Sequence, residues 1–441
     1  MPAKRRGRWK KRLRRSEPTA ANGCEPLNRS RTRDSISELP GHFLRHWPHR
    51  SVSARHMQET YDSLVSWGRT RFQVVGGALY YPDLKHNTFG CVLRRSPILA
   101  WALLETLERH PVADVDIPVN CRDKPGTPLS QRLGGRTDHG PPLAFSYTTS
   151  AAHADIPLPD YTFWGLPYAQ IPPWEAWLAS TVGGGAGGGA GGDAGGGGAA
   201  GGGVGAGLSS PAGGAEAGKW REPCSIKPRG WTPLEEQCRY KYILHLPGIS
   251  DWLEHFKHQL ACGSVNIFLG RMPRRRPSGA AGAAGAAPSG GVQPPHAFEH
   301  FDFSGPLLLE GETFLFVPAT ASNVCERLQV ALHGLEAAPE RGECLAARGQ
   351  QLAAELSLPR VYSYLAGVLN EASARQRPDV ARKAAEKGGS RRVTKANFFS
   401  FVPPAKRPWM EQVFVPWHAA AFNATPLLPP HGGETASGLF H

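Results

Sequence analysis

Residues 114–125 read DVDIPVNCRDKP and residues 141–165 read PPLAFSYTTSAAHADIPLPDYTFWG. Each contains a short apolar run, 115–119 and 143–147, bounded by proline, glycine and charge, the pattern of a buried strand. Both runs end in polar residues, where a strand opens into a loop. In open α/β sheets that carboxyl edge is where ligands sit. Asp123 stands at the end of the first run and Asp155 just beyond the second. Tyr161, Phe163 and Trp164 follow, then Trp174 and Trp177. Acids beside clustered aromatics at strand ends fit a cleft for sugar or peptide. Aromatics equally fill cores, so both readings stand at this point.

Working outward, the spacing predicts a helix over 97–110, with Pro97 in its first turn. Helix then strand is half of a doubly wound unit. Upstream, TRFQVVGGALYY at 70–81 places Gly76 and Gly77 between two β-prone runs, the sign of a hairpin. Downstream, PPWEAWLAS predicts a helix from Pro172. Residues 182–218 are almost entirely glycine and alanine, too poor in side chains to offset their ordering entropy, and 277–295 are similar. No strand–GxGxxG–helix frame surrounds the glycines, so they do not read as a phosphate loop. Between these inserts lie a predicted strand at 239–246, a turn at Pro247–Gly248, a helix at 251–260 and a strand at 265–269. That is a β-turn-α-β unit. A strand at 313–318 and helices at 323–337, 341–356 and 359–373 complete the ordered text. Residues 1–55 read as a basic disordered region, and 376–441 as basic, Pro-rich and irregular.

The chain has 441 residues, room for two domains. Its net charge of +13 is largely local, with nine Lys or Arg and no acid in the first 15 residues. Such runs read as solvated tails ahead of nucleic-acid binding, so no specific nucleic-acid partner is expected. No apolar run nears 18–20 residues, which leaves no transmembrane helix in view, and the basic N-terminus has no apolar segment of the kind a secretory signal needs. None of the eight cysteines forms a CxxC, and histidines at ligand spacing are missing, which argues against zinc.

Asp123 is the best candidate for a general base: it ends a strand, and Arg122 and Lys124 flank it with positive charge that keeps a carboxylate ionised. A loop-capping aspartate is the competing reading. Asp155 and Asp160, with proline neighbours, read more readily as turn residues. The Pro247–Gly248 turn would aim backbone N–H groups at an anion such as a nucleotide diphosphate, with Arg239, Lys241 and Lys257 nearby in sequence.

These blocks, taken in order, resemble the protein O-glucosyltransferases of the Rumi type within the capsule-associated-protein (CAP) glycosyltransferase family. The matching text is TRFQVVGGALY, VNCRDKP, PPLAFSYT with DIPLPDYTFWG, CRYKYILHLPG, FKHQLACGS and FVPA, covering about 60–178 and 234–375. The resemblance implies an α/β fold of two Rossmann-like domains in the glycosyltransferase B-type arrangement, carrying the Gly/Ala-rich inserts and tails. The acceptor-side domain would span 56–181 and the donor domain 219–375. The resemblance further implies a UDP-sugar donor, glucose or xylose, a protein or glycan hydroxyl acceptor, inversion at the anomeric carbon, no required metal, and action as a monomer. It makes Asp123 the catalytic base and places Arg122, Thr162, Phe163, Trp164 and Gly165 at the acceptor. It puts Arg229, Gly248, Ile249, Ser250, His255 and Lys257 at the donor, and it pairs Cys238 with Cys262 in a disulfide, implying the lumen of the endoplasmic reticulum or Golgi. Two blocks depart from the family pattern. Only KPRGWTP, 227–233, occupies the place of a longer Phe-Arg-Gly block, and Trp252, Leu253, Glu254 and His255 stand where the family has a serine and an arginine. They leave open a second reading, a family member that keeps the fold as a carbohydrate- or peptide-binding scaffold without transfer.

Overall fold

The computed structural model describes residues 24–81, 95–131, 133, 140–165, 174–181, 234–245, 256–270, 300–318 and 323–416. Both low-complexity inserts lie outside these residues.

The described residues begin with two helices, α1 (Arg29–Leu44) and α2 (Ala54–Ser63), the second capped by the Ser53 side chain, which accepts from the His56 N–H. A short 3-10 turn, Ser66–Gly68, leads into β1 (Arg69–Val75) and β2 (Ala78–Tyr81). Gly76 and Gly77 have φ of 57° and 72°, both in the left-handed region that a tight two-residue hairpin turn demands. Helix α3 (Ser96–Arg109) follows, with proline in its first turn, and then β3 (Val115–Asn120), every residue of which is buried. The next strands, β4 (Phe145–Ser146) and β5 (Ile156–Pro157), are two residues each.

Helix α4 (Trp174–Thr181) precedes the second core. That core holds β6 (Tyr242–His245), α5 (Phe256–Ala261), β7 (Val265–Gly270) and β8 (Leu315–Pro318). Four helices follow: α6 (Val324–Ala337), α7 (Pro339–Glu355), α8 (Leu358–Arg375) and α9 (Val380–Lys387). A last strand, β9 (Arg391–Val393), is followed by short 3-10 and π turns.

Among the described residues two sheets organise a mixed α/β architecture. The larger has the order β5-β4-β3-β1-β2-β9, antiparallel across β3-β1-β2-β9 and parallel across β3-β4-β5. The smaller, β6-β7-β8, is parallel throughout. In β7 the strand alternation is visible: Val265, Ile267 and Leu269 pack with Leu328, Leu335 and Leu345. Phe268 faces the other way, into a core cluster shared with Ile117 and Phe145 of the large sheet.

The ends of the chain differ from the sequence reading. Residues expected to be a disordered N-terminal region include α1, which packs along α8. Its Ile36, Leu39 and Phe43 are buried at three- and four-residue steps. Gly367 of α8 permits this approach, since a Cβ there would lie 3.2 Å from Pro40 Cγ. Arg50 N–H donates to the Ala374 carbonyl at 2.9 Å, and Cys24 is disulfide-bonded to Cys344. Likewise the described residues after Arg375, up to 416, hold regular elements. Helix α9 packs on β1 and β3, and β9 extends the large sheet with Leu79 opposite Val393. Helix α8, counted from sequence in the second domain, packs on α3 and β3 of the large sheet.

Candidate active site

The carboxyl edge of β3 carries the site. Strand β1 runs antiparallel to β3, with Arg69 opposite Asn120, so the residues just before β1 lie beside the residues just after β3. Cys121 N–H donates to the Gly68 carbonyl at 2.8 Å, which continues the pairing by one step. The chain then turns through Arg122 and Asp123.

That turn is fixed at several points. Asn120 Oδ1 accepts from the Arg122 N–H at 3.2 Å while its Nδ2 donates to the Lys124 carbonyl at 2.9 Å. Thr148 Oγ1, just past β4, donates to the Asp123 carbonyl at 3.1 Å. Two residues further on, the buried Asp155 carboxylate accepts from the N–H groups of Gly126 and Thr127, each at 2.8 Å, and from the Thr127 hydroxyl. Burial raises the Asp155 carboxyl above its ordinary value, and these hydrogen bonds oppose the rise. Asp155 is thus a clamp for the loop, in line with its reading as a turn residue.

Within this fixed loop the Asp123 side chain is 42% exposed. One oxygen, Oδ1, is buried against Arg95, whose Nη1 lies 2.6 Å away as an ion pair without directed hydrogen-bond geometry. Arg95 also donates to the Cys121 carbonyl at 2.5 Å. Its guanidinium lies over the Tyr161 ring at 4.9 Å and near the Tyr147 ring at 6.0 Å. Those two rings meet edge to face at 5.6 Å. A carboxylate with one oxygen tethered to a cation and the rest of the group open to solvent can accept a proton from a hydroxyl placed against it.

Arg95 escaped the sequence reading, although a signal was present. It occupies the N-cap of α3 and makes no side-chain capping bond there. Positive charge at a helix N-terminus opposes the helix dipole. An arginine in that position, where serine or aspartate would stabilise the helix, points to a role elsewhere. Arg122, expected at the acceptor, lays its guanidinium 5.1 Å over the Trp67 ring, and its stem packs where a Cβ on Gly68 would fall, 2.6 Å from Cγ.

Thr162, Phe163 and Trp164, also expected at the acceptor, are fully buried. They form a 3-10 turn, Tyr161–Trp164, capped by Asp160, whose Oδ1 accepts from the Thr162 N–H at 2.8 Å and from its hydroxyl. Gly165 closes the turn with φ of 91°. Phe163 packs against Trp174 and Phe303, and Trp164 Nε1 donates to the Tyr362 hydroxyl at 3.1 Å. Their side chains belong to the core under the site rather than to an open wall of it.

Lys257, expected at the donor, reaches the same turn. Its ammonium is 2.7 Å from Asp160 Oδ2, donates to the Thr162 hydroxyl, and lies 4.4 Å over the Phe163 ring. Both partners of this ion pair are buried, the lysine 4% and the aspartate 1% exposed. Asp302 is close by, its carboxyl raised by burial and by the Asp160 charge and lowered by its bonds from Ser304 and by the Lys257 charge. The pair joins α5 of the small-sheet region to the edge of the large sheet. Thr149 and Phe301 make a second junction, exchanging backbone hydrogen bonds at 2.8 and 3.0 Å.

Arg229, Gly248, Ile249, Ser250 and His255 lie outside the described residues. Cys238 and Cys262 form a disulfide, and Cys24, Cys121, Cys325 and Cys344 are also disulfide-bonded. Among the described residues no group of three or more His, Cys, Asp or Glu is placed to hold a metal ion, and no helix is long and apolar enough to cross a membrane.

A comparison with curated proteins found no match. A comparison with protein-family models did: residues 42–186, from the end of α1 past α4 and including Arg95, Asp123 and Asp160, match glycosyl transferase family 90, the family of the Rumi/CAP10 glycosyltransferases, which supports a glycosyltransferase function.

Proposed function

We propose that the protein transfers glucose or xylose from a UDP-sugar to an acceptor hydroxyl with inversion, and that Asp123 is the base. The observation that carries the reading is the Asp123 carboxylate, tethered by Arg95 at the carboxyl edge of β3 in a loop braced by Asn120, Thr148 and Asp155. Such bracing keeps a reacting group in place without reorganisation at the moment of reaction.

In the step itself the acceptor oxygen attacks the anomeric carbon from the face opposite UDP. Its proton passes to Asp123, and the bond from carbon to the UDP oxygen breaks, with the electron pair leaving on the diphosphate. The growing negative charge on that diphosphate calls for backbone N–H groups and cations. We assign this task to Gly248, Ile249 and Ser250 with Arg229 and His255. The two sheets would be the cores of two Rossmann-like lobes in the B-type arrangement, with the donor on the small-sheet side. No metal is required by this mechanism. The disulfides support an oxidising compartment, the lumen of the secretory pathway.

One observation favours a second reading, a scaffold that binds carbohydrate or peptide without transfer. Lys257 belongs to the block expected to meet the diphosphate, yet its charge is taken up by Asp160 in the core.

The test is UDP release from UDP-glucose and UDP-xylose by the wild type and by Asp123→Asn, with thermal melting as the folding control. A base of this kind contributes about 100- to 10,000-fold, so the variant should fall by that factor while its melting temperature holds. Turnover unchanged in Asp123→Asn would remove Asp123 from the mechanism. A folded wild type that neither binds nor cleaves either donor would leave the scaffold reading in its place.

A further inference from the structure

Large apolar side chains are exposed at only four positions among the described residues, and two of them sit together: Val65 at 42% and Trp67 at 55%. Both belong to the turn entering β1. Because β1 is antiparallel to β3, that turn lies on the same edge as Asp123, and Cys121 N–H bonds to Gly68 immediately beside it. Arg122, the neighbour of Asp123 in sequence, lays its guanidinium 5.1 Å over the indole. One indole face is therefore engaged by a cation, and half of the residue is still open to solvent.

An exposed tryptophan costs free energy that a core position would recover. Gly68 leaves room for the Arg122 stem, which a Cβ would meet at 2.6 Å, and so lets the guanidinium lie over the exposed indole. The result is a small apolar platform with one face held by a guanidinium and the other open, on the same sheet edge as the candidate base. Its size argues about its occupant. A stable protein partner needs about 800 Å² of surface on each side, many times what two side chains supply. A sugar ring needs far less. It offers one face of C–H bonds to the open aromatic plane, while the cation on the other face holds the indole in place.

We infer that Trp67, with Arg122, is the acceptor-binding subsite, and that its occupant is a saccharide whose free hydroxyl reaches Asp123. The route from platform to base rests on the transferase reading; saccharide binding at Trp67 does not.

The experiment uses the full chain and reads binding without turnover. Methyl β-glucoside, methyl β-xyloside and methyl α-mannoside are titrated by saturation-transfer NMR into wild type, Trp67→Ala, Trp67→Phe and Val330→Ala, with thermal melting run on each. Val330 is exposed at 66% on α6, away from the β1–β3 edge, and serves as the control. At least one glycoside should bind the wild type, weaken about tenfold or more in Trp67→Ala, recover most of that loss in Trp67→Phe, and stay unchanged in Val330→Ala. Glycoside binding that ignores Trp67, or equal weakening in Val330→Ala, would overturn the inference. So would a wild type that binds none of the three. Tryptophan-dependent binding in a protein that releases no UDP would sustain it and refute the transferase reading instead.

Discussion

The buried pair of Lys257 and Asp160 gives a prediction whose size follows from the geometry. Both groups are almost fully enclosed and 2.7 Å apart. Asp160 has two tasks, since Oδ2 meets the ammonium while Oδ1 caps the turn at Thr162. Asp160→Asn keeps an oxygen for the cap but strands the ammonium in the core, a loss of about 3–5 kcal/mol. Asp160→Ala also removes the cap and should lose about 1 kcal/mol more. Adding Lys257→Met to Asp160→Asn removes the stranded charge, and the double variant should regain much of the loss, a coupling of about 0.5–3 kcal/mol. Urea unfolding under non-reducing conditions would give the differences, and a 4 kcal/mol loss corresponds to a melting shift of about 8–16 °C. If Asp160→Asn stays within about 1 kcal/mol of wild type, or the double variant is no better than the single, the lysine is not neutralised there. The donor-block assignment of Lys257 would then regain its force.

Two further variants bear on other parts of the molecule. Arg95→Met should lower turnover about 100-fold with little change in the KM for donor, because it frees the Asp123 carboxylate to rotate, and Arg95→Lys should recover part of the loss; a change confined to KM would mean that Arg95 binds substrate instead of holding the base. His42, on α1, is pushed down to about 4 by burial and by the charges of Arg45 and His46, and its Nε2 faces Arg45 Nη1 at 2.9 Å. Between pH 6.5 and about 4 the unfolded chain binds a proton there that the folded chain refuses, so stability falls as the pH drops through that window. His42→Gln should flatten this part of the acid limb in denaturation curves taken at a series of pH values, and an unaltered limb would refute the assignment.

How far the sequence carried the fold depended on how local the determinants were. The hairpin was legible because two adjacent glycines meet a backbone requirement of the turn itself, and φ values of 57° and 72° show why. The helix at α3 and the strand at β3 were legible from their own periodicity. Strand β9 was not. It is three residues, two of them arginine, and it exists because β2 offers an unpaired edge, a fact stored some 310 positions away. Helix α1 was masked by its surroundings: Ile36, Leu39 and Phe43 hold helical spacing, but basic, polar text on both sides drew the reading towards disorder. At the candidate site, Asp123 could be singled out from sequence because its neighbours Arg122 and Lys124 mark it. Thr148 and Arg95 could not be joined to it by spacing, since their contacts arise only when β4 lies parallel to β3 and α3 begins beside it.

The TFWG turn shows why a motif and a surface are different things. Its text fits an acceptor wall, for it is aromatic and follows an acid. In the fold the aromatic side chains point inward, to Trp174, Phe303 and Tyr362. The acid points to a lysine from the other sheet's helix. The turn therefore acts as a post beneath the edge. It supports Tyr161, which carries Arg95, which in turn carries Asp123. If Asp123 is the base as proposed, a substitution at Phe163 or Trp164 would lower turnover through that chain of contacts, and in assays it would look like a loss of acceptor binding. The two cases separate on one measurement: a support residue lowers the melting temperature along with the rate, whereas a surface residue such as Trp67 alters the affinity and leaves the melt in place.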